Sequence, residues 1–335
     1  MKMIENVGPE NMRFTEGEQP KPTDEQVLLR TRAVSVVMEN VGLYNGQDPR
    51  VKSASNPLYG GFPMIQRGEV LAEAVEIGAS VSGVSIGDRF ASYSAYQEFH
   101  AVDPTTWIPI SSEVSDATAI SSPFAGTTLH CVRRAEPAIG DDVLVIGQGP
   151  MGLMVTQWLK IAGAGRVIAA DLNAKRLNIA QQMGATHTLD GSAGDLKQKL
   201  YEITDGNGPD IVIDSGNTAA TFPLALELAR DRAKVVVISW HTQPITIPDI
   251  TRDFYHKELQ IIATRAGGPG PEHRSAYMRW TSQDNQNLIA RFMTEGRFDP
   301  APLVTDKLPL AQFEEALTKV EEHQDKTLKV LVEWD

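Results

Sequence analysis

A glycine-rich turn follows a short apolar run near the middle of the chain. Residues 143–146 read Val-Leu-Val-Ile, and the next six positions carry the pattern G-x-G-x-x-G. The first glycine lets the chain turn sharply out of a strand, the second lets backbone approach a pyrophosphate, and the third lets the next helix pack on the strand. That helix, expected over 152–162, would direct free N–H groups at the phosphates. The pattern predicts a dinucleotide site formed by Gly147, Gly149, Pro150, Met151 and Gly152.

An acidic residue follows where such a site needs one. Asp171 ends the apolar run 167–170 and stands 19 positions after Gly152. A carboxylate there accepts hydrogen bonds from the hydroxyls of an adenosine ribose and repels a 2′-phosphate, so we expect NAD rather than NADP. Arg176, five positions on, either offsets part of this charge, contacts the ribose itself or lies in solvent.

The composition bounds the class of protein. A chain of 335 residues is long enough for two domains, and a net charge of -12 argues against nucleic acid or an anionic membrane as partner. The N-terminus lacks the apolar core of a signal peptide and no run is long enough to span a bilayer, so we expect a cytoplasmic protein. Cys131, the only cysteine, excludes an internal disulfide and is expected to be a buried, unreactive thiol on a helix.

The sequence rhythm divides the chain into three stretches. Residues 1–120 show short alternating segments typical of a strand-rich unit, for which we expect a small β-barrel. Residues 121–267 alternate between helical and strand patterns, which predicts a parallel sheet with right-handed crossovers. Residues 268–335 predict helices near 282–295 and 310–322 and a closing strand over 327–332 that rejoins the barrel. The strands predicted for the middle stretch are 143–146, 167–170, 186–189, 211–214 and 235–239.

Several landmarks resemble the medium-chain dehydrogenase/reductase superfamily over essentially the whole chain. They include the dinucleotide pattern, Ile86-Gly87-Asp88-Arg89-Phe90, Lys175-Arg176-Leu177 and Glu295-Gly296-Arg297-Phe298. The resemblance implies an α/β fold in which a doubly wound Rossmann sheet is inserted into a GroES-like β-barrel substrate domain. It also implies a nicotinamide cofactor near Ser239, Trp240 and Thr264, and a homodimer, or a tetramer, built through the strand 259–264.

The chain departs from the zinc-dependent members of that superfamily at the metal positions. The cysteine, the histidine and the third ligand of those enzymes match Val37, Gly68 and Ser122, none of which supplies a zinc ligand. Asn40 matches the aspartate that orients the metal-binding histidine, and the four-cysteine structural lobe is absent. We therefore predict that the protein has no metal site and no zinc.

Without zinc, another group must handle the substrate proton. Glu39 is the first candidate, because it matches a Ser or Thr that touches the substrate hydroxyl in zinc enzymes; otherwise it is a structural glutamate. Glu69 is the second, with a buried ion pair to Lys329 as the alternative. His241 is either an acid/base beside the nicotinamide or a loop residue in solvent, with Trp240 as a pocket wall. Tyr93 would line the same pocket.

The primary hypothesis is a zinc-independent, NAD(H)-dependent oxidoreductase acting on a secondary alcohol or ketone of a sugar, polyol or cyclitol. The polyol preference comes from the resemblance of the dinucleotide pattern. One alternative is an NADPH-dependent enoyl or quinone reductase, and another is a nucleotide-binding sensor without catalysis. Arg265 and the cation-rich, aromatic segment 272–280 form either a substrate-facing lid or an interface.

Overall fold

The computed structural model describes residues 1–51, 61–270, 274–275 and 279–334. In these residues the strands are β1 Lys2–Gly8, β2 Asn11–Glu16, β3 Val27–Val36, β4 Met64–Ile65, β5 Arg67–Ile77, β6 Arg89–Ala95, β7 Phe99–Val102, β8 Ile108–Ile110, β9 Asp142–Ile146, β10 Arg166–Asp171, β11 His187–Asp190, β12 Ile211–Asp214, β13 Lys234–Val237, β14 Gln260–Ala263, β15 Val304–Pro309 and β16 Lys329–Glu333. The helices are α1 Met38–Tyr44, α2 Asp116–Ala119, α3 Ser122–Ala135, α4 Pro150–Ala162, α5 Ala174–Gln182, α6 Leu196–Ile203, α7 Thr221–Leu228, α8 Ser282–Thr294 and α9 Phe313–Glu322.

The chain forms two compact units. The split unit comprises Met1–Pro123 and Gln286–Asp335, and the central unit comprises Phe124–Asn285. The sequence predicts domains over 1–120, 121–267 and 268–335. In that division the chain returns to its first unit at residue 268, whereas the split unit resumes at Gln286. The predicted bounds stay a prediction.

The split unit is built from two sheets whose neighbouring strands pair antiparallel, except that β15 and β16 pair parallel. One sheet has the order β2-β1-β4, and the larger one has the order β15-β16-β3-β5-β6-β8, with β7 also paired to β3. The apolar residues of β3 and β5, among them Val27, Leu29 and Val70, enter one core because successive side chains of a strand point to opposite faces. β16 pairs antiparallel with β3, so the C-terminal strand rejoins the first unit as predicted.

Two local features of the split unit position side chains for chemistry. β3 ends at Val36 and α1 begins at Met38, and the side chain of Asn40 accepts the Val37 N–H at 2.9 Å, which ties the start of the helix. Glu39 therefore lies in the first turn of α1. On the neighbouring strands, the register of β5 and β6 sets Gly68 opposite Ser94 and Glu69 opposite Tyr93.

The central unit is a parallel sheet with the order β11-β10-β9-β12-β13-β14. Numbered from β9, this is the order 3-2-1-4-5-6 of dinucleotide-binding sheets, so the predicted fold class is confirmed. α4 begins at Pro150, two residues before the predicted start, because proline suits the first position of a helix. β13 ends at Val237 rather than at 239, because the N–H groups of Ile238 and Ser239 both donate to the Asp214 carbonyl.

Other sequence expectations can be compared with the same residues. Cys131 is fully buried in α3, and burial raises the pKa of its thiol to about 12, in agreement with an unreactive cysteine. The predicted helix 310–322 is a 3-10 turn at Leu310–Gln312 followed by α9. Of the helices in the described part of the chain, none combines the length and apolarity that crossing a bilayer requires.

Candidate functional site

The glycine-rich turn has the geometry that a pyrophosphate site needs. Gly147 has a φ of +88°, and a Cβ there would lie 2.9 Å from the Gly216 nitrogen. A Cβ on Gly152 would overlap the Gly147 carbonyl oxygen, so this glycine allows α4 to pack on the turn. Gly149 caps α4, and a Cβ there would meet no atom within 4 Å, which leaves space beside the helix N-terminus. Pro150 and Met151 form the first turn of α4, both partly exposed.

Asp171 is held rigidly at the carboxyl end of β10. Its carboxylate accepts the backbone N–H of Gln148 at 2.6 Å and that of Asn173 at 2.8 Å. Arg176 Nη1 lies 3.9 Å from Asp171 Oδ2, so the arginine offsets part of the carboxylate charge. The structure thus places a fixed acceptor beside the glycine turn, and Arg176 beside that acceptor.

A second set of polar side chains gathers where β12 and β13 end. His241 Nε2 lies 2.7 Å from Oδ2 of Asp214, whose side chain is fully buried. Ser239 donates its hydroxyl to the Asp214 carbonyl at 2.7 Å. Trp240, which lies between Ser239 and His241 in the sequence, is 53% exposed. Thr264 follows β14 and donates its hydroxyl to the Val237 carbonyl at 3.1 Å. The sequence analysis missed Asp214, although it ends an apolar strand as Asp171 does.

In the split unit, Glu39 and Tyr93 meet as candidate catalytic groups. Tyr93 donates its hydroxyl to Glu39 Oε1 at 3.1 Å, and Arg50 Nη2 lies 2.6 Å from the same oxygen. Arg50 also pairs with Asp48 at 2.6 Å. Burial raises the pKa of Glu39, and it outweighs Arg50 and Tyr93, which act in the opposite direction. Glu39 Oε2 is buried and has no hydrogen-bond partner among the described residues.

This cluster is chemically competent for proton transfer. A partly desolvated carboxyl group with a raised pKa exchanges protons closer to neutral pH than an ordinary glutamate does. Arg50 was not among the residues that the sequence analysis selected, and no pattern in the sequence links it to Glu39. Only the path of the chain after α1 brings the two together.

The three positions that carry zinc ligands in related enzymes do not fit a zinc ion. Val37 is buried and apolar, and Ser122 donates its hydroxyl to the Ala119 carbonyl at 2.7 Å. A Cβ on Gly68 would overlap the Tyr96 hydroxyl and lie 2.8 Å from Tyr96 Cζ. Among the described residues, no group of three His, Cys, Asp or Glu side chains is arranged to hold a metal ion.

Tyr96 and Asn40 occupy the space beside Gly68. Tyr96 is fully buried and donates its hydroxyl to the Ser35 carbonyl, while Asn40 Nδ2 donates to the Tyr96 oxygen at 3.0 Å and to the Arg67 carbonyl at 2.9 Å. Burial raises the pKa of Tyr96 well above its usual value, so the phenol stays neutral. A side chain at position 68 would have to displace this network.

The prediction of Glu69 as a catalytic candidate requires correction. Glu69 and Lys329 are both fully buried and form an ion pair, as the alternative stated. Ser35 donates to Glu69 Oε2 at 2.7 Å, and Lys329 donates to the Ser121 hydroxyl at 2.8 Å. A carboxylate enclosed in this way holds strands β5 and β16 together and does not reach a substrate.

The cation-rich segment after β14 is described only in part. Two guanidinium groups pack on Trp280, that of Arg133 at 4.0 Å and that of Arg279 at 4.6 Å from a ring centroid. Arg274 pairs with Asp284, and Arg265 is exposed. Residues 271–273 and 276–278, which include part of the predicted lid or interface, lie outside the described residues.

Comparison with known proteins finds similarity to dehydrogenases. Residues 150–283 match the family model described as zinc-binding dehydrogenase. L-threonine 3-dehydrogenase of Bacillus velezensis is 24% identical over 88% of this chain and 88% of its own length. D-arabitol-phosphate dehydrogenase of Enterococcus avium is 23% identical over 99% of this chain and 97% of its own.

Solved structures agree on the fold. An Escherichia coli alcohol dehydrogenase in complex with NADH superposes with a TM-score of 0.81, at 21% identity and 99% coverage of both chains. Galactitol-1-phosphate dehydrogenase of Escherichia coli superposes with a TM-score of 0.82, at 18% identity and the same coverage.

Residues 150–283 thus resemble the zinc-binding dehydrogenase family, and the whole chain shares the fold of the alcohol and polyol dehydrogenases of known structure. By name, the two relatives are dehydrogenases, and the first of the two structural neighbours was solved with NADH. These similarities agree with the resemblance that the sequence landmarks indicate.

Proposed function

We propose that the protein is a zinc-independent, NAD(H)-dependent dehydrogenase that interconverts a secondary alcohol and a ketone on a sugar, polyol or cyclitol. The observation that carries this proposal is the Glu39 carboxyl group, paired with Tyr93 through Oε1 and without a partner in the described residues at Oε2. Two relatives whose names specify polyol phosphates, arabitol-phosphate and galactitol-1-phosphate dehydrogenase, support the substrate class.

NAD is proposed over NADP because of the Asp171 carboxylate. Two backbone N–H groups fix it at the end of β10, so it is available to ribose hydroxyls and unfavourable for a 2′-phosphate. Arg176 Nη1 lies 3.9 Å from Asp171 Oδ2, farther than the two backbone N–H donors. Asp171 therefore still presents a negative charge at this position. The residues proposed to hold the cofactor are Gly147, Gly149, Pro150, Met151, Gly152, Asp171, Arg176, Ser239, Trp240 and Thr264.

Glu39 is proposed as the proton acceptor in alcohol oxidation. As the alcohol C–H bond breaks, its electron pair leaves as hydride, and the hydroxyl proton moves to Glu39 while the C=O bond forms. A nicotinamide cofactor held at the glycine-rich turn would supply the hydride acceptor. Tyr93 and Arg50 orient the carboxylate through Oε1, and reduction of the ketone returns the proton along the same path.

The absence of zinc is proposed from the donor set. Val37 and Gly68 offer no ligand atom, and the Ser122 hydroxyl is neutral and already bonded. Tyr96 and Asn40 fill the space beside Gly68. Protein groups rather than a Lewis acid are therefore proposed to manage the charge of the substrate oxygen.

Absorbance at 340 nm tests the proposal directly. NAD and NADP are offered with a panel of sugars, polyols, their phosphates and cyclitols in both directions, with and without a chelator, and bound metal is measured by mass spectrometry. We expect NAD-dependent turnover that survives chelation with substoichiometric zinc. Stoichiometric zinc whose removal abolishes turnover contradicts the zinc-independent mechanism, and NADPH-dependent reduction of enones or quinones alone indicates the reductase alternative. NADH binding without turnover on any substrate indicates the sensor.

Glu39→Gln tests the proton acceptor. General acid–base groups contribute about 10²–10⁴-fold to rate, so we expect a loss of kcat in that range with little change in NADH binding. The raised pKa of Glu39 predicts that the wild-type oxidation rate falls as pH decreases through that value, because the protonated carboxyl cannot accept a proton. Glu73→Gln, which removes a partner of Arg32 in the same unit, is the control. An unchanged kcat in Glu39→Gln contradicts the assignment.

A homodimer is proposed through β14. It is the terminal strand of the central sheet, pairs with β13 on one side, and carries Ile261 at 43% exposure. An open edge is suited to pairing with a second copy. Light scattering during size-exclusion chromatography tests this, and a monomer at micromolar concentration contradicts it.

A further inference from the structure

The buried carboxylate of Asp214 has a contact with an ionisable side chain. Oδ1 accepts the Gly216 N–H at 3.1 Å and the Ser239 hydroxyl at 3.1 Å, while Oδ2 lies 2.7 Å from His241 Nε2. Asp214 is fully buried, and the His241 side chain is 11% exposed. A buried carboxylate is costly unless hydrogen bonds compensate it, and here each oxygen has a donor.

We infer that Asp214 is a positioning residue that holds His241 as an acceptor for a ligand hydroxyl group. Because a carboxylate only accepts hydrogen bonds, Nε2 must carry a proton to bond to Oδ2. In the neutral ring this leaves Nδ1 with the lone pair, so the outer nitrogen accepts a hydrogen bond from a hydroxyl. The inference rests on the proposed function, which supplies two hydroxyl sources, the nicotinamide ribose and the substrate.

The place of the pair in the central unit supports this role. Asp214 ends β12, and a Cβ on Gly147 would lie 3.0 Å from the carbonyl carbon of Ser215, so the pair adjoins the dinucleotide turn at the position where the strand order reverses. Ligands of open α/β sheets bind outside the carboxyl ends of the strands at this position. The Phe222 ring, from α7, packs near the His241 ring, with 6.3 Å between the two centroids. Among the described residues, the charged group recorded in contact with the imidazole is Asp214.

Nitrogen NMR of protein labelled with ¹⁵N-histidine tests the tautomer. The signals of His241 are identified from their loss in His241→Gln among the 7 histidines of the chain. We expect a protonated Nε2 and an unprotonated Nδ1 in the wild type, and loss of this preference in Asp214→Asn, whose amide can donate as well as accept. A wild-type Nε2 without a proton, or a wild-type Nδ1 that carries one, overturns the inference.

Ligand measurements separate the two hydroxyl sources and exclude a merely structural role. Losing one hydrogen bond of about 1.4 kcal/mol is a tenfold effect, so we expect Asp214→Asn to raise either the NADH Kd or the substrate KM about tenfold while kcat changes less. A change in the NADH Kd, read by fluorescence, indicates the ribose; a change only in KM indicates the substrate. The double variant with His241→Gln should be no worse than His241→Gln alone.

The NADH Kd and the substrate KM also serve for a control variant and for the results that would contradict the inference. Asp210→Asn removes the partner of Arg230 just before β12 and should change neither constant. Unchanged constants in a folded Asp214→Asn, or additive losses in the double variant, overturn the inference. A wild type without turnover contradicts the proposed function alone, because NADH binding and the tautomer are measured without turnover.

Discussion

Removing Lys329 should leave a carboxylate stranded in the core of the split unit. Lys329→Met keeps the length of the side chain and removes the charge that faces Glu69. Both side chains of the pair are 0% exposed, so water cannot replace the lost ammonium group. Ser35 still donates to Glu69 Oε2, but one neutral hydroxyl does not compensate a buried charge.

The free-energy cost of leaving this carboxylate charged has an upper limit that depends on pH. The stranded carboxyl group can avoid its charge by taking a proton, and a glutamate in water titrates near pH 4.3, so neutralising it costs about 3.7 kcal/mol at pH 7. At pH 5 the same proton costs about 1 kcal/mol. In the folded variant the Glu69 carboxyl group then binds a proton that the unfolded chain does not bind. The destabilisation therefore grows as the pH rises above the pKa of a glutamate in the unfolded chain.

Denaturant unfolding at pH 5, 6 and 7, monitored by tryptophan fluorescence, measures this dependence. We expect Lys329→Met to lose about 1 kcal/mol at pH 5 and 3–4 kcal/mol at pH 7 relative to the wild type. Lys307→Met, at an exposed position on β15, should stay within about 0.5 kcal/mol at each pH. Glu69→Leu combined with Lys329→Met should recover most of the loss, because no charge is left unpaired. An equal loss at pH 5 and pH 7 refutes the reasoning.

Other predictions concern the glycine beside Tyr96, the cofactor carboxylate and the cysteine. Gly68→Ala should destabilise the protein by about 1–3 kcal/mol in calorimetry, because its Cβ would overlap the Tyr96 hydroxyl. Gly8→Ala, whose Cβ would have no atom within 4 Å, should not destabilise it. Equal stabilities of the two variants would contradict the packing around Gly68. Asp171→Ser should raise the kcat/KM ratio of NADP to NAD at least about tenfold, since a 2′-phosphate no longer meets a carboxylate, and an unchanged ratio would show that another group selects the cofactor. Cys131 should resist an aromatic disulfide reagent at pH 8 until the protein unfolds, because it is fully buried and its thiol pKa is about 12; rapid labelling of the native protein would be contrary.

The fold was predictable because its signals are local or follow general rules. The apolar runs before Gly147 and Asp171 identify β9 and β10, and the alternation of strands and helices implies parallel pairing with right-handed crossovers. The errors are small and have local causes, such as the proline that starts α4 and the hydrogen bonds of Ser239 that end β13 early.

The candidate site was less predictable because its contacts join distant parts of the chain. Arg50 contacts Glu39 because the chain turns back after the end of α1. Tyr93 contacts Glu39 from β6, 54 positions away in the sequence. Asp214 and His241 are 27 positions apart and come together because parallel strands end at one edge of a sheet. Glu69 shows the opposite case, since either role was compatible with the sequence and burial decides for the ion pair.

The packing around Gly68 is connected to the turn that carries Glu39. In a zinc enzyme of this superfamily, position 68 would carry a side chain directed at the metal, whereas here Tyr96 and Asn40 close that space with hydrogen bonds. The same Asn40 side chain fixes the first turn of α1 by accepting the Val37 N–H, and Glu39 lies in that turn. Asn40 therefore belongs both to the network that fills the space beside Gly68 and to the turn that carries Glu39. A histidine at position 68 would meet the Tyr96 hydroxyl and the Asn40 amide, and through Asn40 it would disturb the turn that carries Glu39.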